Sequence, residues 1–128
     1  MQADFVGEGL VSGFRVRVYK EGAGGVVFVF ERGWLRAGFP VPLEHVRGLL
    51  RALREGESYW GSWGRGGERF VVNWCGSEGE LWVASGPGRL RLDVELGLVL
   101  WGEDREAFIR LLEAVVAGLG EGSSGVHG

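Results

Sequence analysis

Phe14-Arg15-Val16-Arg17-Val18-Tyr19, followed by Glu21-Gly22-Ala23-Gly24-Gly25 and then by Val26-Val27-Phe28-Val29-Phe30, sets the architecture of this chain. The first run alternates with period two: Phe14, Val16 and Val18 fall on one side, and Arg15, Arg17 and Tyr19 on the other. That is the signature of a half-buried strand. The glycine-rich segment is turn chemistry, and the third run is β-branched and aromatic, so the three together predict a β-hairpin. A further short strand is expected near Arg36 to Val41. Pro42 suits the first turn of a helix, Glu44 lies where the helix dipole favours an acid, and Gly56 is a terminator. Between them Val46, Leu49, Leu50 and Leu53 recur at i, i+3, i+4 and i+7, an amphipathic helix with one buried stripe.

The second half repeats the order. Phe70, Val72 and Trp74 alternate with Arg69, Val71 and Asn73; Ser77-Glu78-Gly79 is a turn, Leu81 to Ala84 a short strand, and Gly86-Pro87-Gly88 another turn. Arg89 to Leu96 alternates most regularly of all, charges on one face and aliphatics on the other, and Leu98 to Trp101 can continue as strand. Glu103, Asp104 and Glu106 then open a helix whose apolar stripe is Phe108, Leu111, Leu112 and Val115. The expected fold is α+β: two strand-rich halves, each followed by an amphipathic helix, with antiparallel sheet and the helices packed on one face. Residues 1–120 form the expected single domain and 121–128 a flexible tail. At 128 residues, no second domain is needed.

Composition narrows the function. Apolar residues make up 45% and charged residues 24% of the chain, the balance of a folded protein rather than a disordered one. The formal net charge of −3 argues against coating duplex DNA by bulk charge. Charge is nonetheless unevenly placed. From Gly13 to Arg36, Arg15, Arg17, Lys20, Arg32 and Arg36 stand against Glu21 and Glu31 alone, whereas the chain beyond Gly102 is acidic. Lys20 is the sole lysine among 14 basic residues; the rest are arginines, whose planar cations stack as well as pair.

Cys75 stands alone, so the chain can form no internal disulfide and no cysteine-based zinc site. Met1 is followed by Gln2, Ala3 and Asp4 rather than by a basic region and an apolar run, and no stretch is long enough to span a bilayer. A cytoplasmic protein without membrane partners is expected. His45 and His127 are the only histidines; neither is marked as a base for Cys75, and the acids show no pairing for proton transfer. Gly22 to Gly25 lacks the Gly-Lys-Ser/Thr of a phosphate loop. No catalytic residue, metal or cofactor is expected.

What remains is aromatic and basic. Tyr59-Trp60-Gly61-Ser62-Trp63-Gly64-Arg65-Gly66-Gly67-Glu68-Arg69 lacks a period for helix or strand and is expected to be a flexible connection. In the functional reading its indoles lie on bases while Arg65 and Arg69 meet phosphates; in the structural reading its tryptophans tuck beneath the sheet. Arg15, Arg17 and Tyr19, with Arg89 and Arg91 on a later strand, form an outward sheet row. Trp34 between Arg32 and Arg36 adds a third aromatic and basic cluster. Trp74, Trp82 and Trp101 are assigned to the core.

Phe14 to Leu53, in which Val26-Val27-Phe28-Val29-Phe30-Glu31-Arg32-Gly33-Trp34 leads through Phe39-Pro40-Val41-Pro42-Leu43 into a helix, resembles the strand-strand-strand-helix unit of the positive-cofactor, PUR and Whirly single-strand binders. Arg89 to Val115 resembles the end of another such unit. The length, the lysine-poor composition and the aromatic segment are more similar still to the archaeal ThermoDBP-related single-stranded DNA-binding proteins of thermophiles. This resemblance, which covers about Gly13 to Gly118, implies nonspecific binding and protection of single-stranded DNA in an aromatic, basic cleft, within a homo-oligomer. Single-stranded RNA binding and a protein-protein scaffold are the alternatives. Self-association to a dimer or tetramer is expected through the apolar Leu96 to Trp101 segment.

Overall fold

The computed structural model describes residues 4–87 and 94–121. The chain runs β1 (Asp4–Val11), β2 (Phe14–Glu21), β3 (Gly25–Arg32), β4 (Leu35–Pro42) and α1 (Leu43–Glu55), then β5 (Tyr59–Arg65), β6 (Glu68–Cys75), β7 (Glu80–Pro87), β8 (Val94–Val99) and α2 (Glu103–Val116). A short π-helical turn at Ala117–Glu121 follows α2. Each set of four strands is an antiparallel meander, ordered β1-β2-β3-β4 and β5-β6-β7-β8. The α+β plan of two strand-rich halves, each followed by a helix, is the one expected from the sequence.

Alternation decides which way each strand faces. Phe14, Val16 and Val18 of β2 pair with the stretch of β3 that carries Phe28 and Phe30, and all are buried. In the second sheet the inward residues are Phe70, Val72 and Trp74 of β6, Leu81 and Val83 of β7, and Leu96 and Leu98 of β8. These two inner faces share one core with Val46, Leu49, Leu50 and Leu53 of α1 and Phe108, Leu111, Leu112 and Val115 of α2. Each such apolar side chain contributes about 1.5–3 kcal/mol on burial. The outer faces of both sheets therefore point away from the core.

Pro42 has extended backbone and no side-chain cap, and the first free N–H of α1, that of Leu43, donates instead to the Gly24 carbonyl at 2.8 Å. The helix stops at Gly56, whose φ of 73° is left-handed and costs glycine no side-chain clash. Arg54 of α1 reaches Glu113 of α2 at 2.7 Å. A hydrogen bond from the Ser12 amide to Asp104 at 2.9 Å ties the first hairpin to the start of α2.

The structure corrects four readings. β1 is an addition to the expected strands: its inward positions opposite Val18 and Val16 are Gly7 and Gly9, which carry no hydropathic signal. Gly7 lies beneath Leu111, and α2 packs along this strand. The Tyr59 to Arg65 stretch is not a flexible connection but strand β5, paired residue for residue with β6. Its flexible part is reduced to Gly66-Gly67, a two-residue hairpin turn with φ of 58° and 84° that demands glycine-like freedom. Gly86 and Pro87 end β7 instead of making a turn. Trp82 and Trp101 are exposed, not core; only Trp74, fully buried, fits that assignment. Residues 88–93 of the regular alternation, with Arg89 and Arg91, and 122–128 of the expected tail lie outside the described residues.

The halves interlock through two glycines. A Cβ at Gly48 of α1 would stand 2.5 Å from the Tyr59 ring, and one at Gly61 of β5 would stand 2.5 Å from His45 Nδ1. A ring from each element thus occupies the other element's notch. In a helix alanine ordinarily outperforms glycine by about 1 kcal/mol, but Gly48→Ala is expected to destabilise the fold by about 1–3 kcal/mol through overpacking. Urea denaturation measures it; a stabilised variant would contradict the interlock.

Candidate nucleic-acid interface

On the outer face of the first sheet, register brings three cross-strand rows together: Leu10, Arg15, Glu31 and Arg36; Glu8, Arg17, Val29 and Gly38; and Phe5, Tyr19, Val27 and Pro40. Arg17 lies 3.7 Å from Glu8 and 3.5 Å from Glu31, and Arg36 lies 3.4 Å from Glu31. Hydrogen bonding to Tyr19, then the charges of Glu31 and Glu8, raise the Arg17 pKa, so it stays a cation at any working pH. Phe5 and Tyr19 meet edge to face at 5.7 Å.

A shallow groove of about 770 Å³ runs over this face, lined by Phe5, Tyr19, Lys20 and Glu21, by Val27 and Val29, and by Arg36. Arg36 also borders a second depression of about 380 Å³ lined by Arg15, Glu31 and Trp34. Trp34, in the turn between β3 and β4, is 94% exposed. The structure thus gathers Arg15, Arg17, Tyr19, Trp34 and Arg36, and adds Phe5, Lys20 and Leu10. Phe5 escaped the sequence reading because its strand did. Arg32 does not join them. Its register opposite Leu35 turns it to the other side of the sheet, where its guanidinium stands 5.5 Å from the Phe14 ring.

The residues of β5 separate by alternation. Tyr59 points inward; its hydroxyl lies 2.7 Å from His45 Nδ1. Trp63 stacks with His45 at 4.7 Å and with Phe70 at 6.0 Å, and its N–H donates to the Pro40 carbonyl at 2.9 Å. Both rings are partly buried against these neighbours. Arg65 pairs with Glu21 of the first sheet. Of the four candidates on β5, only Trp60 points outward, on the second sheet, where Arg69 also lies exposed.

Desolvation, followed by the charge of Glu44, raises the Tyr59 pKa above its ordinary value. A raised pKa in the folded state means that the hydroxyl supports the fold below about pH 10, the unfolded value, and that this support is lost as pH rises through the folded value. An ultraviolet titration is expected to show a late tyrosine phase, above about pH 10, that Tyr59→Phe removes. Removal by Tyr59→Phe of a phase at the ordinary value would contradict the burial of Tyr59.

The outer face of the second sheet has a different character. One row carries Trp60, Asn73, Trp82 and Gly97. The Trp82 ring lies over Gly97, where a Cβ would come within 2.7 Å of it. Trp101 rests in the same way on Gly79, where a Cβ would again stand 2.7 Å from the ring. Between the inward Leu81 and Val83, Trp82 points outward.

Cys75 has Ser77 Oγ at 3.6 Å from its sulfur, and among the described residues no group of three or more His, Cys, Asp or Glu side chains is arranged to hold a metal. No helix among them is long and apolar enough to cross a membrane. The chain matches no protein-family model, and no curated protein matches it.

Proposed function

We propose that this chain binds single-stranded DNA without sequence specificity, by a non-catalytic mechanism, on the outer face of its first sheet. The observation that carries the reading is a pair of neighbouring depressions that share Arg36, one lined by the Phe5–Tyr19 pair and the other by Arg15 and Trp34, with Arg17 in the cross-strand row between them. Aromatic faces stack on unpaired bases of any identity, and guanidinium groups meet the phosphates between them. The acids on this face do not forbid it. Arg36, whose side chain is 67% exposed beside the half-buried Glu31, makes an ion pair of the surface kind, worth about 0–1 kcal/mol, so exchanging a carboxylate for a phosphate there costs little. The net charge of −3 matters less than the local cations, because distant acids are screened beyond about 8–10 Å at physiological salt.

Arg15→Ala and Arg36→Ala test it. Each is expected to weaken binding of a labelled oligo-dT and to lower the slope of log affinity against log salt by about 0.7, the value for one lost phosphate contact on a single strand. Arg51→Ala, on the exposed side of α1, is the control. Poly-U in place of oligo-dT measures the RNA alternative on the same groove. An affinity indifferent to Arg15 and Arg36 together would remove the reading.

A further inference from the structure

We infer that the free edge of β8 is a docking site for an extended, basic peptide segment of a partner protein, added to the second sheet as a further antiparallel strand. The inference does not rest on the nucleic-acid reading, which concerns the other sheet. β8 is the last strand in the order β5-β6-β7-β8. The Leu100 N–H donates to the Gly79 carbonyl at 2.7 Å, and in the same register Leu98 stands opposite Leu81 and Leu96 opposite Val83. In an antiparallel ladder the backbone groups turn toward a given neighbour at every second residue. Leu96, Leu98 and Leu100 therefore spend theirs on β7, and their side chains are buried in the chain's own core. Glu95, Gly97 and Val99 aim their N–H and C=O groups at the outer edge, where no strand among the described residues lies beside them. An open edge of this kind accepts an added strand unless something blunts it. Gly97, exposed at its centre, puts no side chain in the way.

The surroundings of the edge select a cation. The Trp82 indole reaches from β7 across Gly97, where a Cβ would come within 2.7 Å of it, so the ring lies in the row that an added strand extends. Its N–H lies 3.4 Å from Glu80 Oε1, and Glu80 stands opposite Val99 at the end of β8. Beyond Val99 the Trp101 indole, 54% exposed, rests on Gly79, between Glu78 and Glu80 in the chain. No arginine, lysine or histidine among the described residues pairs with Glu78 or Glu80. Residues 88–93 border the other end of β8, about 17 Å away at the usual rise of a strand. Indole rings attract cations, arginine most often, and a carboxylate beside them adds to the attraction. Every second side chain of an added strand lies on the outer face. One opposite Gly97 meets Trp82, and the next, opposite Val99, reaches toward Glu80 and Trp101. The occupant is thus a segment with arginine or lysine at alternate positions. The carboxylates repel a nucleic-acid strand, and pairing two β8 edges would gather Glu80 and Glu95 of both copies on one face, which like charges oppose.

Fluorescence anisotropy of a short labelled peptide that alternates arginine with threonine, titrated with the full chain, tests this. Saturable binding that weakens with salt is expected, and none of the peptide that alternates glutamate with threonine. Glu80→Gln and Trp82→Ala are each expected to weaken binding about fivefold or more. Glu44→Gln, which removes the same charge from the exposed start of α1, should leave it unchanged. Glu80→Gln alters almost no volume, so the test stands should Trp82→Ala fold poorly. The peptide reports on the edge as well. With its arginines opposite Gly97 and Val99, their amides face β8, so N-methylation of the arginines is expected to abolish binding and N-methylation of the threonines to spare it. Binding that survives methylation of the arginines, or that Glu80→Gln and Trp82→Ala leave unchanged, overturns the proposal, as does no binding at low salt and high micromolar protein. A folded Trp82→Ala protein that loses oligo-dT binding would assign the face to nucleic acid. A wild-type dimer in sedimentation that ignores the peptide would assign the edge to a second copy; either result overturns it.

Discussion

A Trp63→Ala protein is expected to lose about 3–4 kcal/mol of folding stability and, while folded, to bind oligonucleotide as wild type does. The indole is a joint between the halves of the chain. Its N–H donates to the Pro40 carbonyl of β4 at 2.9 Å, and its ring stacks with His45 of α1 and Phe70 of β6. Removing it opens a void between them and leaves the Pro40 carbonyl without that donor. The loss is therefore larger than the area of a half-buried ring alone indicates. Denaturant unfolding reads the stability, and an oligo-dT titration below the lowered midpoint reads the affinity. A variant of normal stability that binds poorly would place Trp63 at the interface instead.

The second large effect belongs to the aromatic end of the groove. Phe5→Ala combined with Tyr19→Ala is expected to reduce single-strand affinity by about 2–4 kcal/mol, from about 1–3 kcal/mol for each stacked base. The salt slope should hardly change, since no phosphate contact is lost. Folding stability should fall only modestly, because Phe5 is 55% exposed on an edge strand. Stacking and charge thus separate experimentally: the aromatic variants move affinity at every salt concentration, and the arginine variants move its salt dependence. Trp34→Ala, in the neighbouring depression beside Arg36, extends the series.

How much of this was legible in the sequence depended on where side chains speak. Phe14, Val16 and Val18, or Leu49, Leu50 and Leu53, announce their face because every buried position carries an apolar group. In β5 the inward Gly61 and outward Gly64 and Ser62 carry no such mark, so an ordered strand looks like a loop. Gly7 and Gly9 hide β1 in the same way, and with it Phe5. The cross-strand neighbours of Arg17 were invisible for another reason: Glu8 and Glu31 reach it only through the registers of β1 and β3. Trp82 and Trp101 show that bulk alone does not send a tryptophan inward. Each lies on a glycine from another strand or turn, a seat that exists only after the sheet has formed.

Unpaired bases, not duplex charge, are what the first sheet is proposed to recognise. The most direct test is a titration of the wild-type protein with labelled oligo-dT and with a duplex of equal length, each at two salt concentrations. Binding to the single strand is expected to be at least about tenfold tighter than to the duplex, a difference of about 1.4 kcal/mol, with both affinities falling as salt rises. Equal affinity for the two, or no binding to the single strand at low salt, would contradict it.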